Sequence, residues 1–115
     1  MSVIITLVPD LLFSTRIEDT AKRLGYSVAA LGAREDFDAA IAREQPALVI
    51  VALDVDNWQD AVAAAKRAGA RVLSFGSHND VKTMQAARAA GCDEVAARSR
   101  MAAELPNLLR KYVDG

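Results

Sequence analysis

The chain has 115 residues, of which 52% are hydrophobic and 25% are charged. This length suits a single domain, 1–115, and this composition excludes an intrinsically disordered chain, which would be poorer in apolar residues. Because 14 basic residues are balanced by 15 acidic ones, giving a net charge of −1, we expect neither nucleic acid nor a membrane surface as a partner.

The first segments of the chain and its cysteine content predict a cytoplasmic protein. Cys92 is the only cysteine and has no partner for an intramolecular disulfide, which is typical of a reducing compartment. The first apolar run ends at Asp10, well short of the roughly 20 apolar residues that a membrane span needs. No basic stretch precedes this run, as it would in a signal peptide.

Five short apolar runs predict β-strands. The third run, 47–53, is apolar at every position, which indicates a strand covered on both faces, as in a parallel sheet. The predicted strands are 3–8, 26–31, 47–53, 71–75 and 94–97.

Between these runs the apolar residues recur at helical spacing, about every 3.6 residues. Five helices are predicted, with these recurring positions: Phe13, Ile17, Ala21 and Leu24; Phe37, Ala40 and Ile41; Ala61, Val62, Ala65 and Ala68; Val81, Met84, Ala87 and Ala90; Leu105, Leu108, Leu109 and Tyr112. A glycine or proline follows each of the first four, at Gly25, Pro46, Gly69 and Gly91. Asn79 or Asp80 is the predicted N-cap of the fourth helix.

Strands and helices therefore alternate along the whole chain. Parallel neighbouring strands need long right-handed crossovers, and helices of this length provide them. We predict an α/β fold with a single five-stranded parallel sheet in the flavodoxin-like order 2-1-3-4-5 and helices on both faces. In such a sheet, ligands bind beyond the carboxyl ends of the strands.

Three segments of the chain resemble the receiver domains of response regulators in two-component signalling, the CheY-like family. LGYSV at 24–28 is similar to the end of that family's first helix and its second strand. PALVIV at 46–51 resembles the Pro-Asp-Leu-Val run of its third strand, and AAGCDE at 89–94 resembles its Ala-Gly-Ala-Asp-Asp segment. The resemblance covers essentially the whole chain and implies a role in signal transduction.

A phosphorylatable receiver needs an aspartate after its third strand, acidic Mg²⁺ ligands after its first, a hydroxyl after its fourth and a lysine after its fifth. The resemblance places these functions on Ala52, on Val8 and Pro9, on Gly76 and on Arg98, in that order. Only Arg98 keeps the charge of its position. The resemblance therefore implies a degenerate pseudo-receiver that binds no metal or cofactor and is not an enzyme.

Asp10, Asp54 and Ser77 lie next to these degenerate positions and leave two interpretations open. In one, the chain is a phosphoacceptor response regulator that uses Asp54 with Mg²⁺. In the other, the carboxylates only cap helices and face solvent, as an acidic group is favoured at a helix N-terminus. We expect Arg98 to pair with Asp10 or Asp54, which would place a salt bridge where phosphate would otherwise bind.

A third interpretation is a small-molecule-binding flavodoxin-like domain, although the sequence has no glycine-rich dinucleotide motif or phosphate-binding loop. His78 is the only histidine, and we expect it to be a loop residue without chemistry. Trp58 is interpreted as a partly buried residue at the start of the third helix or, if exposed, as part of a contact surface.

The leading hypothesis is an atypical stand-alone receiver-like domain that acts in signalling through protein–protein interaction. The resemblance implies that the fourth helix, fifth strand and fifth helix form a contact face for a protein partner or a second copy of the chain. The candidate residues of this face are Lys82, Gln85, Arg88, Asp93, Arg100 and Lys111.

Overall fold

Five parallel strands form the centre of the computed structural model, which describes residues 2–115. They are β1 (Val3–Leu7), β2 (Ser27–Leu31), β3 (Leu48–Ala52), β4 (Arg71–Gly76) and β5 (Glu94–Ala97). The strand order is β2-β1-β3-β4-β5, and every neighbouring pair is parallel. The predicted sheet and its order are confirmed, and no predicted strand end differs from the structure by more than one residue.

Helices cover both faces of this sheet, as predicted. They are α1 (Leu11–Arg23), α2 (Arg34–Glu44), α3 (Trp58–Arg67), α4 (Val81–Ala89), α5 (Arg98–Ala103) and α6 (Leu105–Asp114). Buried side chains of α2, α3 and α4 form one core, and those of α1, α5 and α6 form the other. Over residues 2–115, no helix combines the length and the apolar character that crossing a bilayer would require.

The helix predicted after the fifth strand, with Pro106 near its start, is confirmed as α6, but a further short helix that was not predicted, α5, precedes it. The two helices meet at Glu104, whose φ of −112° departs from helical geometry. Pro106 has no backbone N–H, so a continuous helix would leave the carbonyl of Ala102, four residues earlier, without its donor. Instead, Arg16 Nη2 in α1 donates to that carbonyl at 3.1 Å, and this bond ties the break to α1.

The central strand β3 is buried along its entire length. Val49 and Val51 belong to the core beneath α2 and α3, whereas Leu48, Ile50 and Ala52 belong to the core beneath α1 and α6. Because both faces are covered, the sequence of this strand shows no alternation of apolar and polar residues.

Two aspartates fix the starts of helices that begin at the carboxyl edge of the sheet. Asp10 Oδ1 accepts a hydrogen bond from Phe13 N at 3.2 Å and caps α1. Asp80 Oδ1 accepts from Thr83 N at 3.2 Å, so Asp80 and not Asn79 is the N-cap of α4. Gly91 follows α4 with a φ of 97°, the left-handed conformation that glycine adopts without strain.

Asp93 joins three elements just before β5. Its Oδ2 accepts a hydrogen bond from Val72 N in β4 at 2.7 Å and contacts Lys66 Nζ in α3 at 3.1 Å. Partial burial raises the pKa of Asp93, but the hydrogen bonds from Val72 and Lys66 outweigh this effect and hold the pKa below its usual value. Its ionised form therefore stabilises the folded state.

Replacing Asp93 with alanine is expected to lower the free energy of unfolding by about 1–2 kcal/mol at neutral pH, because Val72 N loses its acceptor. A depressed folded-state pKa stabilises above the unfolded pKa of about 3.9, and this contribution disappears as the pH falls through the folded value. The difference between wild type and Asp93→Ala should therefore shrink in acid. Urea unfolding at neutral pH and at about pH 3 measures it.

The matched control is Asp38→Ala, which removes an exposed pair with Arg34 on α2 and should cost well under about 1 kcal/mol. An Asp93→Ala difference that stayed the same in acid would contradict this role for the carboxylate.

Candidate functional site

The carboxyl ends of the strands meet at one edge of the sheet, where Ala52, Gly76 and Arg98 lie. Ala52 is the register partner of Phe75, and Gly76 is the register partner of Ala97, one residue before Arg98. Pairing of β3, β4 and β5 therefore brings these positions onto neighbouring strands.

A cleft of about 300 Å³ opens at this edge beside the start of α4. Its lining combines an apolar floor with carboxylate, hydroxyl and guanidinium groups. The lining residues are Leu53, Asp54, Phe75, Gly76, Ser77, Asp80, Thr83, Met84 and Arg98.

Arg98 packs on a pair of stacked aromatic rings. The ring centroids of Phe13 and Phe75 are 4.8 Å apart, with 18° between the ring planes. Arg98 Cζ lies 5.2 Å from the Phe13 centroid and 5.3 Å from the Phe75 centroid. These distances are within the range of cation–π attraction. Two aromatic residues that the sequence analysis did not assign to the site therefore hold its one cationic group.

Arg98 also pairs with Asp10. Arg98 Nη1 donates to Asp10 Oδ2 at 3.3 Å, while Oδ1 of the same carboxylate caps α1. The prediction that Arg98 pairs with Asp10 or Asp54 is confirmed for Asp10. Both side chains are about half exposed, so the ion pair alone contributes no more than about 1 kcal/mol. Its effect is to link the start of α5 to the start of α1.

The position that the resemblance assigns to the phosphoacceptor is fully packed. Ala52 is 1% exposed and belongs to the same buried cluster as Phe13 and Phe75. Val8 is buried in that cluster and Pro9 is exposed, so neither provides an oxygen ligand from its side chain. A Cβ added to Gly76 would lie 3.4 Å from the side chain of Leu53, so this position adjoins the cleft closely.

The three polar residues near the assigned receiver positions, Asp10, Asp54 and Ser77, do not lie together. Asp54 and Ser77 are both exposed and line the cleft, whereas Asp10 pairs with Arg98. β3 ends at Ala52, so Asp54 lies in the following turn and not on the strand. Within residues 2–115, no group of three or more histidine, cysteine, aspartate or glutamate side chains is placed to hold a metal ion.

Asp80 adds a second carboxylate to the cleft, a role that the sequence analysis did not assign to it. Hydrogen bonds from the Thr83 side chain and backbone hold the pKa of Asp80 below its usual value. The same cap that starts α4 therefore keeps a negative charge at the mouth of the cleft.

His78 and Trp58 lie outside the cleft lining. His78 is exposed in the loop between β4 and α4. Trp58 is the first residue of α3 and is only 7% exposed, so the interpretation as a buried residue at the helix start is the one that the structure supports.

The residues predicted to form the contact face differ in their exposure to solvent. Lys82, Gln85 and Arg88 are exposed on α4, and Lys111 is exposed on α6. Val81, at the start of α4, is also 55% exposed, and the sequence analysis had assigned it to the apolar side of the helix.

The other two residues of that face are held by contacts within the chain. Asp93 binds Val72 and Lys66, as described above. Arg100 contacts Glu94 at 3.1 Å and Glu104 at 3.2 Å. The exposed residues of the face outside these contacts are three on α4 and Lys111 on α6.

The chain matches known proteins in structure but not in sequence. No protein-family model matches this chain, and no curated protein matches it in sequence. A response regulator from Thermotoga maritima superposes with a TM-score of 0.86 at 11% identity, over 100% of this chain and 99% of that one. The signal receiver domain of a response regulator from Bermanella marisrubri gives a TM-score of 0.85 at 18% identity, over 98% and 99% of the two chains.

The chain has the receiver-domain fold. The expected CheY-like architecture is thereby confirmed, and identities this low establish the fold alone. A third similar structure, a response regulator from Burkholderia pseudomallei, was solved with a phosphorylated aspartic acid, a calcium ion and citrate. It gives a TM-score of 0.80 at 18% identity, over 97% of this chain and 66% of that one.

Replacing Arg98 with alanine is expected to lower the free energy of unfolding by about 1 kcal/mol, because the aromatic stack and Asp10 lose their shared cation. The stability of Arg98→Lys should fall between those of wild type and Arg98→Ala, since lysine keeps the charge but not the planar group that contacts the rings. Chemical denaturation measures both variants, with Arg88→Ala on the exposed surface of α4 as the control. Equal stability of Arg98→Ala and wild type would contradict the assigned contacts.

Proposed function

We propose that this receiver-fold chain acts in signal transduction through protein–protein contacts and does not undergo aspartyl phosphorylation. The observation that carries the proposal is Ala52, a buried methyl group at the end of β3. The proposal describes a cytoplasmic binding module without enzymatic activity, consistent with the balanced charge and the single cysteine of its sequence.

Phosphoryl transfer to a receiver requires a carboxylate nucleophile and a divalent cation that neutralises the transferring group. Ala52 has no side-chain oxygen, and Asp54 lies two residues further along, in an exposed turn. Asp10, the nearest acidic residue after β1, is already paired with Arg98. These placements argue against the alternative in which Asp54 accepts a phosphoryl group with Mg²⁺.

The contacts of Arg98 support a signalling role that does not depend on phosphate. Asp10 provides its counter-charge, and Phe13 and Phe75 provide the surface on which it packs. Both kinds of contact come from the chain itself. We therefore infer that the carboxyl edge keeps one conformation and that regulation acts through the availability of the partner or the abundance of this protein.

Incubation with acetyl phosphate and Mg²⁺ is expected to leave the intact mass of the protein unchanged, because no nucleophile lies at the end of β3. A phosphorylatable receiver domain treated in the same buffer is the positive control. A mass gain of one phosphoryl group that is lost in Asp54→Ala and kept in Asp10→Ala would overturn the proposal in favour of the alternative.

The contact surface can be tested on α4, where Val81, Lys82, Gln85 and Arg88 are exposed. In cross-linking within the native cell, the triple variant Lys82→Ala/Gln85→Ala/Arg88→Ala should lose the partner that wild type retains. Arg43→Ala/Glu44→Ala, on the exposed side of α2, is the matched control and should retain it. A partner kept by the triple variant would contradict the use of α4.

Small-molecule binding is a second candidate, and the cleft between Asp54, Ser77 and Arg98 is the observation in its favour. The cleft carries two carboxylates, Asp54 and Asp80, against one guanidinium, Arg98, which already pairs with Asp10, so we expect phosphate-bearing cofactors to be repelled. Thermal unfolding with nucleotides, flavins and cobalamins should give no stabilisation. A concentration-dependent rise in melting temperature with any of them would favour the second candidate.

A further inference from the structure

A groove of about 550 Å³ runs between α1 and the junction of α5 and α6, on the face of the sheet opposite α4. We call it the α1 groove. One wall carries Leu12, Arg16, Asp19 and Arg23 of α1, and the other includes Ala103 and Pro106. None of these residues belongs to the cleft at the carboxyl edge of the sheet.

Leu12 is an apolar side chain that the folded chain leaves in solvent. It is 86% exposed and lies in the lining of the α1 groove. The neighbouring Leu11 is 80% exposed but lines a different groove, between α1 and β2. The two leucines therefore point to different surfaces and can be tested against each other.

The charges of the α1 groove are arranged so that the surface complements itself. Arg16 and Asp19 lie about one helical turn apart on the same wall. If the α1 helices of two copies lie antiparallel about a two-fold axis midway between these residues, Arg16 of each copy faces Asp19 of the other. Leu12 and Arg23 are equally far from the same midpoint. The axis that pairs the charges therefore also places Leu12 against the aliphatic stem of Arg23.

Arg16 is already positioned for such a contact. Its Nη2 donates to the carbonyl of Ala102, the acceptor that the break before Pro106 leaves free. A guanidinium has five N–H donors, so this bond leaves others for a carboxylate. Because the side chain is held before association, less rotamer entropy is lost on binding.

We propose that two copies of this chain associate through their α1 grooves in an antiparallel, two-fold symmetric dimer. The partner at this groove is a second copy of the chain, because the leucine and the charges on α1 pair with those of an identical helix about a two-fold axis. This is the condition for an isologous interface. The dimer would leave both α4 surfaces free for a partner. The inference is independent of whether Asp54 can be phosphorylated.

Sedimentation velocity of the purified protein, from micromolar to millimolar concentration, tests the proposal. We expect a concentration-dependent dimer. Its dissociation constant should rise about tenfold or more in Leu12→Ser, since each copy loses a leucine that the dimer would bury. Leu11→Ser, equally apolar and one residue away, should dimerise like wild type. A wild-type monomer over the whole range would overturn the proposal.

A charge exchange identifies the interface itself. Asp19→Arg should be monomeric because Arg16 would face an arginine, and Arg16→Asp should be monomeric because Asp19 would face an aspartate. An equimolar mixture should form a heterodimer, since both of its pairs are again of opposite charge. Circular dichroism melts check that each variant is folded.

Two results would overturn this assignment even if a dimer forms. One is a mixture of the two charge variants that stays monomeric. The other is a wild-type dimer that Arg88→Glu dissociates and Leu12→Ser does not, which would place the interface on α4.

Discussion

The burial of β3 on both faces constrains the rest of the molecule. All five of its residues are buried, from Leu48 to Ala52, because helices pack on each side of the sheet. An ionised group at such a position costs several kcal/mol unless it is paired and hydrogen-bonded. With alanine at the end of the strand, this cost does not arise. Polar chemistry at the carboxyl edge is then left to the turns and helix starts that follow.

The carboxyl edge is held by contacts between elements that are distant in sequence. Arg98 at the start of α5 contacts Asp10 at the start of α1 and lies over the stacked rings of Phe13 and Phe75. Each contact is weak on its own, because the ion pair is half exposed. Together they join the ends of β1, β4 and β5 with groups that the chain itself supplies. This closure is the physical basis of our proposal that the conformation of the carboxyl edge does not depend on a phosphoryl group.

The two faces of the sheet are suited to different tasks. On one face, α4 presents exposed polar residues and Val81, and these form the surface proposed for a partner. On the other, the break between α5 and α6 frees the carbonyl that positions Arg16 beside the α1 groove. The same proline that interrupts the last helix thus shapes the surface proposed for self-association. Both surfaces can be occupied at once, since the sheet separates them.

The sequence by itself determined the five strands and every helix except α5, because hydrophobic periodicity and helix-ending residues act over a few neighbouring positions. It also narrowed the partner of Arg98 to Asp10 or Asp54, and the resemblance to receiver domains assigned Ala52, which has no side-chain oxygen, to the phosphoacceptor position. Only the tertiary structure decided that Arg98 selects Asp10, that Phe13 stacks on Phe75, and that Arg16 binds the carbonyl of Ala102 left free before Pro106. The first two depend on the register of the parallel strands, which no local pattern encodes. The third depends on how α1 packs beside the other end of the chain.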